Sequence, residues 1–102
     1  MNTQGWIRGL ISSNTEIDKL CSFILRRIEK EFQRKGEVSL VNNNYVFKID
    51  RYLVSINVDK VKKLQKVSPY ALDKAILDIL REQGLKFNYN RSQYIRYCYG
   101  LI

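Results

Sequence analysis

The strongest folding signal in this chain lies in residues 37–58, where apolar and polar residues alternate along three short segments. Such alternation is typical of strands that bury one face. Two-residue turns at Asn42-Asn43 and Asp50-Arg51 suit the changes of direction, because asparagine and aspartate tolerate positive φ. These turns predict six facing pairs: Leu40 with Tyr45, Val38 with Phe47, Glu37 with Lys48, Ile49 with Tyr52, Phe47 with Val54, and Tyr45 with Ile56. The register gathers the large apolar side chains on one face, so the segment predicts a three-stranded antiparallel meander.

An amphipathic helix is predicted on each side of this meander. Residues 14–35 begin with a capping box at Ser13–Glu16, place apolar residues at helical spacing, and stop at Gly36. Residues 69–83 begin with an N-cap serine and a first-turn proline, and they end at Gly84. Each helix carries one apolar stripe, which predicts that both cover the apolar face of the sheet.

The rest of the chain consists of a lead-in at residues 1–12 and a basic aromatic segment at residues 85–99. Aromatic residues on both sides of residues 90–93 indicate a second hairpin, with strands at Leu85–Tyr89 and Tyr94–Tyr99. The predicted order is therefore α-β-β-β-α-β-β. With 102 residues and 45% hydrophobic content, the chain is expected to form a single α+β domain over residues 1–102. Its antiparallel sheet is packed on one face by two helices.

The charge balance favours a polyanionic partner. Lysine and arginine total 18 against 10 for aspartate and glutamate, which gives a formal net charge of +8. Residues 59–67 hold the densest basic run, which either extends the third strand or forms a short helix capped by Asp59. Residues 83–102 contain no acidic side chain and interleave cations with aromatic rings, a pattern that suits phosphates and stackable bases. The candidate nucleic-acid-binding residues are Lys60, Lys62, Lys63, Lys66, Lys86, Tyr89, Arg91, Tyr94 and Arg96.

The sequence lacks the residues that several kinds of chemistry require. There is no histidine, no glycine-rich phosphate loop, and no CxxC spacing. We therefore expect no catalytic site, no metal and no cofactor. Cys21 and Cys98 fall within apolar patterns and are interpreted as buried free thiols. A disulfide between them requires the last strand to lie against the first helix.

The predicted element order is similar to two known topologies, but the sequence lacks the characteristic motif of each. The restriction-endonuclease-like core needs an aspartate on one strand and a (D/E)-x-K on the next, whereas Asp50 is followed by Asp59-Lys60 without a spacer. A metal-dependent nuclease is thus the weaker alternative to a protein without catalysis. The α-β-β-β-α stretch has the order of a double-stranded-RNA-binding domain, but it lacks that family's loop motif. Order alone does not assign a function.

Together these patterns predict a small basic nucleic-acid-binding protein, acting on DNA or RNA as an accessory or regulatory factor. The alternative is a protein-interaction module, an inhibitor or adaptor, that acts on an acidic partner surface. The chain has only two alanines and many Asn, Ile, Lys and Tyr residues, a bias typical of AT-rich coding sequence and so of viral or mobile-element origin.

Location and assembly complete the sequence predictions. No apolar run of membrane-spanning length and no signal peptide is present, so we expect an intracellular, cytoplasmic protein without a membrane partner (host cytoplasm if viral). The predicted terminal hairpin would leave a free strand edge and more aromatic surface than one thin domain covers. This predicts a homodimer with Tyr97 and Tyr99 in its interface.

Overall fold

A computed structural model describes residues 17–102; the predicted lead-in at residues 1–12 and the capping box at Ser13–Glu16 lie outside this range. The observed order within it is α-β-β-β-α-α-α. The elements are α1 (Ile17–Phe32), β1 (Gly36–Val41), β2 (Asn44–Ile49), β3 (Tyr52–Asn57), α2 (Val58–Val67), α3 (Ala71–Glu82) and α4 (Gln93–Cys98).

The three strands form one antiparallel sheet in the order β1-β2-β3. All six predicted facing pairs occur in the observed register. The turns also use the predicted residues, because Asn42, Asn43 and Asp50 have φ values of 50°, 65° and 54°. These short polar side chains tolerate the left-handed region, which lets each pair of strands reverse within two residues.

The end of α1 differs from the prediction. The helix stops at Phe32, and the left-handed residue is Gln33 with φ 53°, not Gly36. Gly36 instead opens β1, where its backbone runs close to the neighbouring strand. A Cβ at this position would lie 2.8 Å from the Lys48 carbonyl oxygen, so the glycine is needed for close approach.

The core lies between one face of the sheet and two helices, as predicted. α1 packs against β1 and β2, whereas α3 packs against β3. Alternate residues of β2 and β3 are buried on this face: Tyr45, Phe47, Ile49, Tyr52, Val54 and Ile56. Because the opposite face carries exposed residues such as Lys48 and Ser55, the sheet is covered on one side by the described helices.

The basic run after β3 forms a helix. α2 begins directly after β3 in the sequence, and its N-cap residue is Asn57. The Asn57 side-chain oxygen accepts a hydrogen bond from the Asp59 backbone N–H at 2.8 Å. Of the two conformations that the sequence left open for this run, the helix is the one formed, with Asn57 rather than Asp59 as its cap.

The predicted hairpin at residues 85–99 is wrong. Gly84, with φ 112°, ends α3 as expected, but the chain then runs without strand pairing to the short helix α4. Ser92 caps α4 by accepting a hydrogen bond from the Ile95 backbone N–H at 3.2 Å. Tyr94, Ile95 and Cys98 are buried, a helical spacing that outweighs the strand preference of tyrosine.

Candidate functional site

The exposed half of α2 carries four cations, which we call the lysine row: Lys60, Lys62, Lys63 and Lys66. At about 100° per residue these side chains spread over the side of the helix opposite Val61, which is fully buried. Val61 therefore anchors the helix while the lysines remain in solvent. Within residues 17–102, none of the four lysines forms a salt bridge with a carboxylate.

A groove of about 510 Å³ lies beside the lysine row, bounded by α2, α3 and the end of α4. We call it the α2–α4 groove. Lys60 and Leu64 line it from α2, Lys74 lines it from α3, and Tyr97 lines it from α4. Its lining therefore combines apolar, aromatic and cationic groups, and its volume falls within the range of about 300–1,000 Å³ that is usual for small-molecule sites.

Two tyrosines form a stacked pair in the wall of the groove. The rings of Tyr70 and Tyr97 are nearly parallel, with an interplanar angle of 8° and centroids 5.6 Å apart. The centroid of the Tyr70 ring also lies 6.3 Å from that of Tyr94, which is buried, so Tyr70 is the inner ring of the Tyr70–Tyr97 pair. Tyr97 is the outer ring, and 39% of its surface is exposed.

The second cation of the groove is balanced by a neighbouring carboxylate. Lys74 Nζ lies 3.1 Å from Asp78 Oδ2, and the Tyr99 hydroxyl donates to Asp78 Oδ1 at 2.8 Å. Burial and the hydrogen bond to Asp78 raise the pKa of Tyr99, so its hydroxyl remains a donor. The positive potential at the groove therefore comes mainly from Lys60 and its neighbours on α2.

Arg91, predicted to bind phosphate, is used within the fold. Its Nε donates to Glu31 Oε2 at 2.8 Å, and a second guanidinium nitrogen donates to the Glu31 carbonyl oxygen at 3.1 Å. The guanidinium also lies 4.8 Å from the centroid of the Phe32 ring. Arg91 thus ties the C-terminal segment to α1, and its charge is matched by that of Glu31.

Tyr94, predicted as a stacking surface, is buried in the core with 2% of its surface exposed. Its hydroxyl donates to the carboxylate of Asp73, which is itself fully buried. The Arg27 guanidinium lies 4.4 Å from the centroid of the Tyr94 ring. Because the ring is buried and the Arg27 guanidinium lies over it, a base cannot stack on it in this conformation.

The other predicted residues of the C-terminal segment remain accessible but do not line the groove. Tyr89 is 42% exposed, and the centroid of its ring lies 4.5 Å from the centroid of the Tyr99 ring. The Arg81 guanidinium also lies 4.5 Å from the Tyr89 centroid. Lys86 and Arg96 are exposed. Of the nine predicted site residues, the structure brings the four lysines together on one helix and separates the rest.

Sequence reasoning missed Tyr70 and Lys74 as groove residues and interpreted Tyr97 as a dimer contact. Each reaches the groove through the packing of α3 against α2 and α4, which no local pattern encodes. A weak signal was present at Tyr70, because it directly follows the Ser68-Pro69 pair that predicted a helix start. That start is shifted in the structure, since α3 begins at Ala71 with Tyr70, and not Ser68, as its N-cap residue.

The carboxylates considered for a metal site do not meet. Asp50 lies in the β2–β3 turn and pairs with Arg34, whereas Asp59 follows the far end of β3. A six-residue strand spans about 20 Å, too far for one metal ion to bridge. Over residues 17–102, no group of three or more potential metal ligands occurs.

Cys21 and Cys98 are buried thiols, as predicted, and no disulfide joins them. Burial, with a smaller contribution from Asp18, raises the pKa of the Cys21 thiol to about 12. The thiolate, which is the reactive form, is therefore scarce at neutral pH.

Comparisons with protein-family models, curated proteins and solved structures found no match for this chain. Among the helices of residues 17–102, none combines the length and apolarity needed to cross a bilayer.

Proposed function

We propose that this protein is a small nucleic-acid-binding protein without catalytic activity, an accessory or regulatory factor in the cytoplasm of a cell or of a virus-infected host. The lysine row carries this proposal, because four exposed cations that form no salt bridge within residues 17–102 share one helix beside a groove with an accessible aromatic ring. The compositional bias toward AT-rich codons supports a viral or mobile-element origin.

The spacing of the lysine row suits a phosphate backbone. Lys60 and Lys66 are six residues apart, which corresponds to about 9 Å along the helix axis. Duplex DNA carries about one phosphate charge per 1.7 Å of its axis, so several phosphates lie within this length. Flexible lysine side chains can each adjust to one of them.

The contrast with three paired cations of the fold favours binding over mere solvation. Arg34, Lys74 and Arg91 each have a carboxylate within 4 Å, so their charges are largely neutralised by ion pairs within the molecule. The lysine row has only Asp59 on its own helix to oppose it. Its uncompensated field attracts polyanions over about one Debye length, roughly 10 Å at 0.1 M salt.

The first test is a salt series of binding to random-sequence duplexes and single strands, measured by fluorescence anisotropy. If all four lysines contact phosphates, the logarithm of the association constant should fall with the logarithm of salt concentration, with a slope of about −3.6 for duplex and −2.8 for single strand. Failure to bind either form at low salt would remove the proposal.

A protein partner with an acidic surface is the second candidate, and one observation favours it. Val67, 69% exposed, lies on the same outer side of α2 as Lys60 and Lys63. An apolar side chain between cations also suits an acidic, partly apolar protein surface. Pull-downs with and without nuclease distinguish the two, because partners retained after nuclease treatment favour the protein-binding function.

We also propose a homodimer, but by a different route from the predicted hairpin edge, which α4 replaces. The outer edge of β3 is closed at Leu53, because the Gln83 side-chain amide donates to the Leu53 carbonyl oxygen and accepts from its N–H. In residues 17–102, β1 has a neighbouring strand on one side only, and its Leu40 is 56% exposed. Antiparallel pairing of two β1 edges closes both about a two-fold axis.

We expect sedimentation equilibrium at micromolar concentration to give twice the chain mass of 12.1 kDa. A lysine on the free edge should prevent the pairing, so Leu40→Lys should sediment as a monomer. Leu53→Lys is the matched control, since Leu53 is 54% exposed and lies on the closed edge. A monomeric wild-type protein contradicts the dimer, as does an equal effect of the two substitutions.

A further inference from the structure

Resting on the proposed function, we infer that the α2–α4 groove receives one unstacked nucleobase on the outer face of Tyr97. The preferred ligand is then a single strand, or an unpaired end, and not an intact duplex. The lysine row holds the phosphates next to the inserted base. In this arrangement α2 binds the phosphates, and the Tyr70–Tyr97 pair makes the protein prefer single strands over duplexes.

The Tyr97 ring is fixed in position before any ligand arrives. Tyr70 stacks on it at an interplanar angle of 8°, and Tyr70 is in turn packed near Tyr94, which is buried. A ring held this way loses little side-chain freedom when a second planar group stacks on its exposed side. Parallel stacking also extends naturally, because every nucleobase presents a π face.

The remaining walls of the groove suit a base more than a phosphate. Leu64, Val67 and Ala75 supply apolar lining, and the charges of Lys74 and Asp78 in the same lining balance each other, so this part of the groove attracts a phosphate only weakly. Lys60 is the groove cation without a salt bridge in the described residues, and it lies on the helix of the lysine row. The backbone of a bound strand should therefore follow α2 while one base enters the groove.

A base within a duplex cannot enter the α2–α4 groove and stack on Tyr97. A paired and stacked base exposes its edge in a groove of the duplex and keeps its faces covered, so no face is available for Tyr97. Single strands, loops and ends can splay a base out without first breaking a base pair. The duplex can still contact the lysine row, which predicts weaker, purely electrostatic binding.

The test measures the affinity of Tyr97→Ala for three labelled probes of equal length: an oligothymidine strand, an abasic deoxyribose-phosphate strand and a duplex. Loss of one stacked base should weaken binding to oligothymidine about 5- to 150-fold and leave the salt slope unchanged. Binding to the abasic strand should be the same for Tyr97→Ala and the wild-type protein. Tyr97→Phe keeps the ring and should bind like the wild-type protein.

Tyr89→Ala is the matched control, because Tyr89 is similarly exposed at 42% but does not line the groove. It should bind all three probes normally. A loss in Tyr89→Ala without a loss in Tyr97→Ala would place stacking on the C-terminal segment and overturn the inference. Equal wild-type affinity for the abasic and the base-bearing strand would overturn it too.

The two proposals fail in different ways. If no probe binds at low salt, nucleic-acid binding itself is wrong. If all three probes bind with the same steep salt dependence and Tyr97→Ala has no effect, the lysine row binds nucleic acid but the groove does not take a base. Thermal unfolding of each variant shows whether a loss of binding reflects a loss of folded protein.

Discussion

Replacing the lysine row with glutamine should nearly abolish nucleic-acid binding. Each lost phosphate contact lowers the salt slope by about 0.9 for duplex and 0.7 for single strand, so four contacts correspond to roughly a 1,000-fold loss of affinity at about 0.1 M salt. Anisotropy titrations across a salt series measure both quantities. The variant carries four substitutions: Lys60→Gln, Lys62→Gln, Lys63→Gln and Lys66→Gln.

A second fourfold variant controls for net charge. It removes the same number of positive charges from exposed positions of α1 and of the residues after it, a region that packs over β1 and β2. We expect it to keep most of the affinity and of the salt slope. If both variants lose affinity equally, binding follows overall charge and the lysine row is not the site. The control substitutions are Lys19→Gln, Arg26→Gln, Lys30→Gln and Lys35→Gln.

A large effect on stability is expected at Asp73, the one charged residue that is fully buried among residues 17–102. Asp73→Ala removes the acceptor of the buried Tyr94 hydroxyl and leaves a polar group in the core. Such an orphaned group costs about 1–3 kcal/mol, and the other interactions of the carboxylate are lost with it. We expect the midpoint of thermal unfolding to fall by roughly 10–20 °C.

Two further variants show whether the hydrogen bond is the cause. Asp73→Asn keeps an acceptor for Tyr94 and should lose less stability than Asp73→Ala. Asp78→Ala breaks a partly exposed pair with Lys74 and removes the acceptor of the partly buried Tyr99 hydroxyl, so it should cost less than Asp73→Ala, whose site is fully buried. A midpoint for Asp73→Ala within a few degrees of wild type would show that this buried bond contributes little to the fold.

The meander could be predicted in full because its information is local. Alternation fixes which side chains face the core, and a shift of one residue would turn Phe47 and Val54 to solvent. The turn residues at Asn42-Asn43 then allow one register only. The lysine row was visible for a similar reason, since its members are close in sequence and fall on one short helix.

The C-terminal segment could not be predicted from its own residues. A six-residue helix such as α4 is too short to form alone, so partners elsewhere in the chain decide its conformation. The hydroxyl of Tyr94 finds Asp73 on α3, and Arg91 finds Glu31 on α1. The Tyr70–Tyr97 pair, and with it the groove, exists only after these elements have packed.

The Arg91–Glu31 bond has a consequence for the order of folding. It joins residues 60 positions apart, whereas the strands of the meander pair across two-residue turns. Closing the longer loop carries the larger entropic cost, so we expect the meander to nucleate first and the C-terminal segment to dock late. Elements that dock late can also undock in partial, sub-global openings of the native state. In such an opening the Tyr97 ring leaves its place beside Tyr70 while the meander stays folded, so only the docked state offers the fixed ring on which a base can stack.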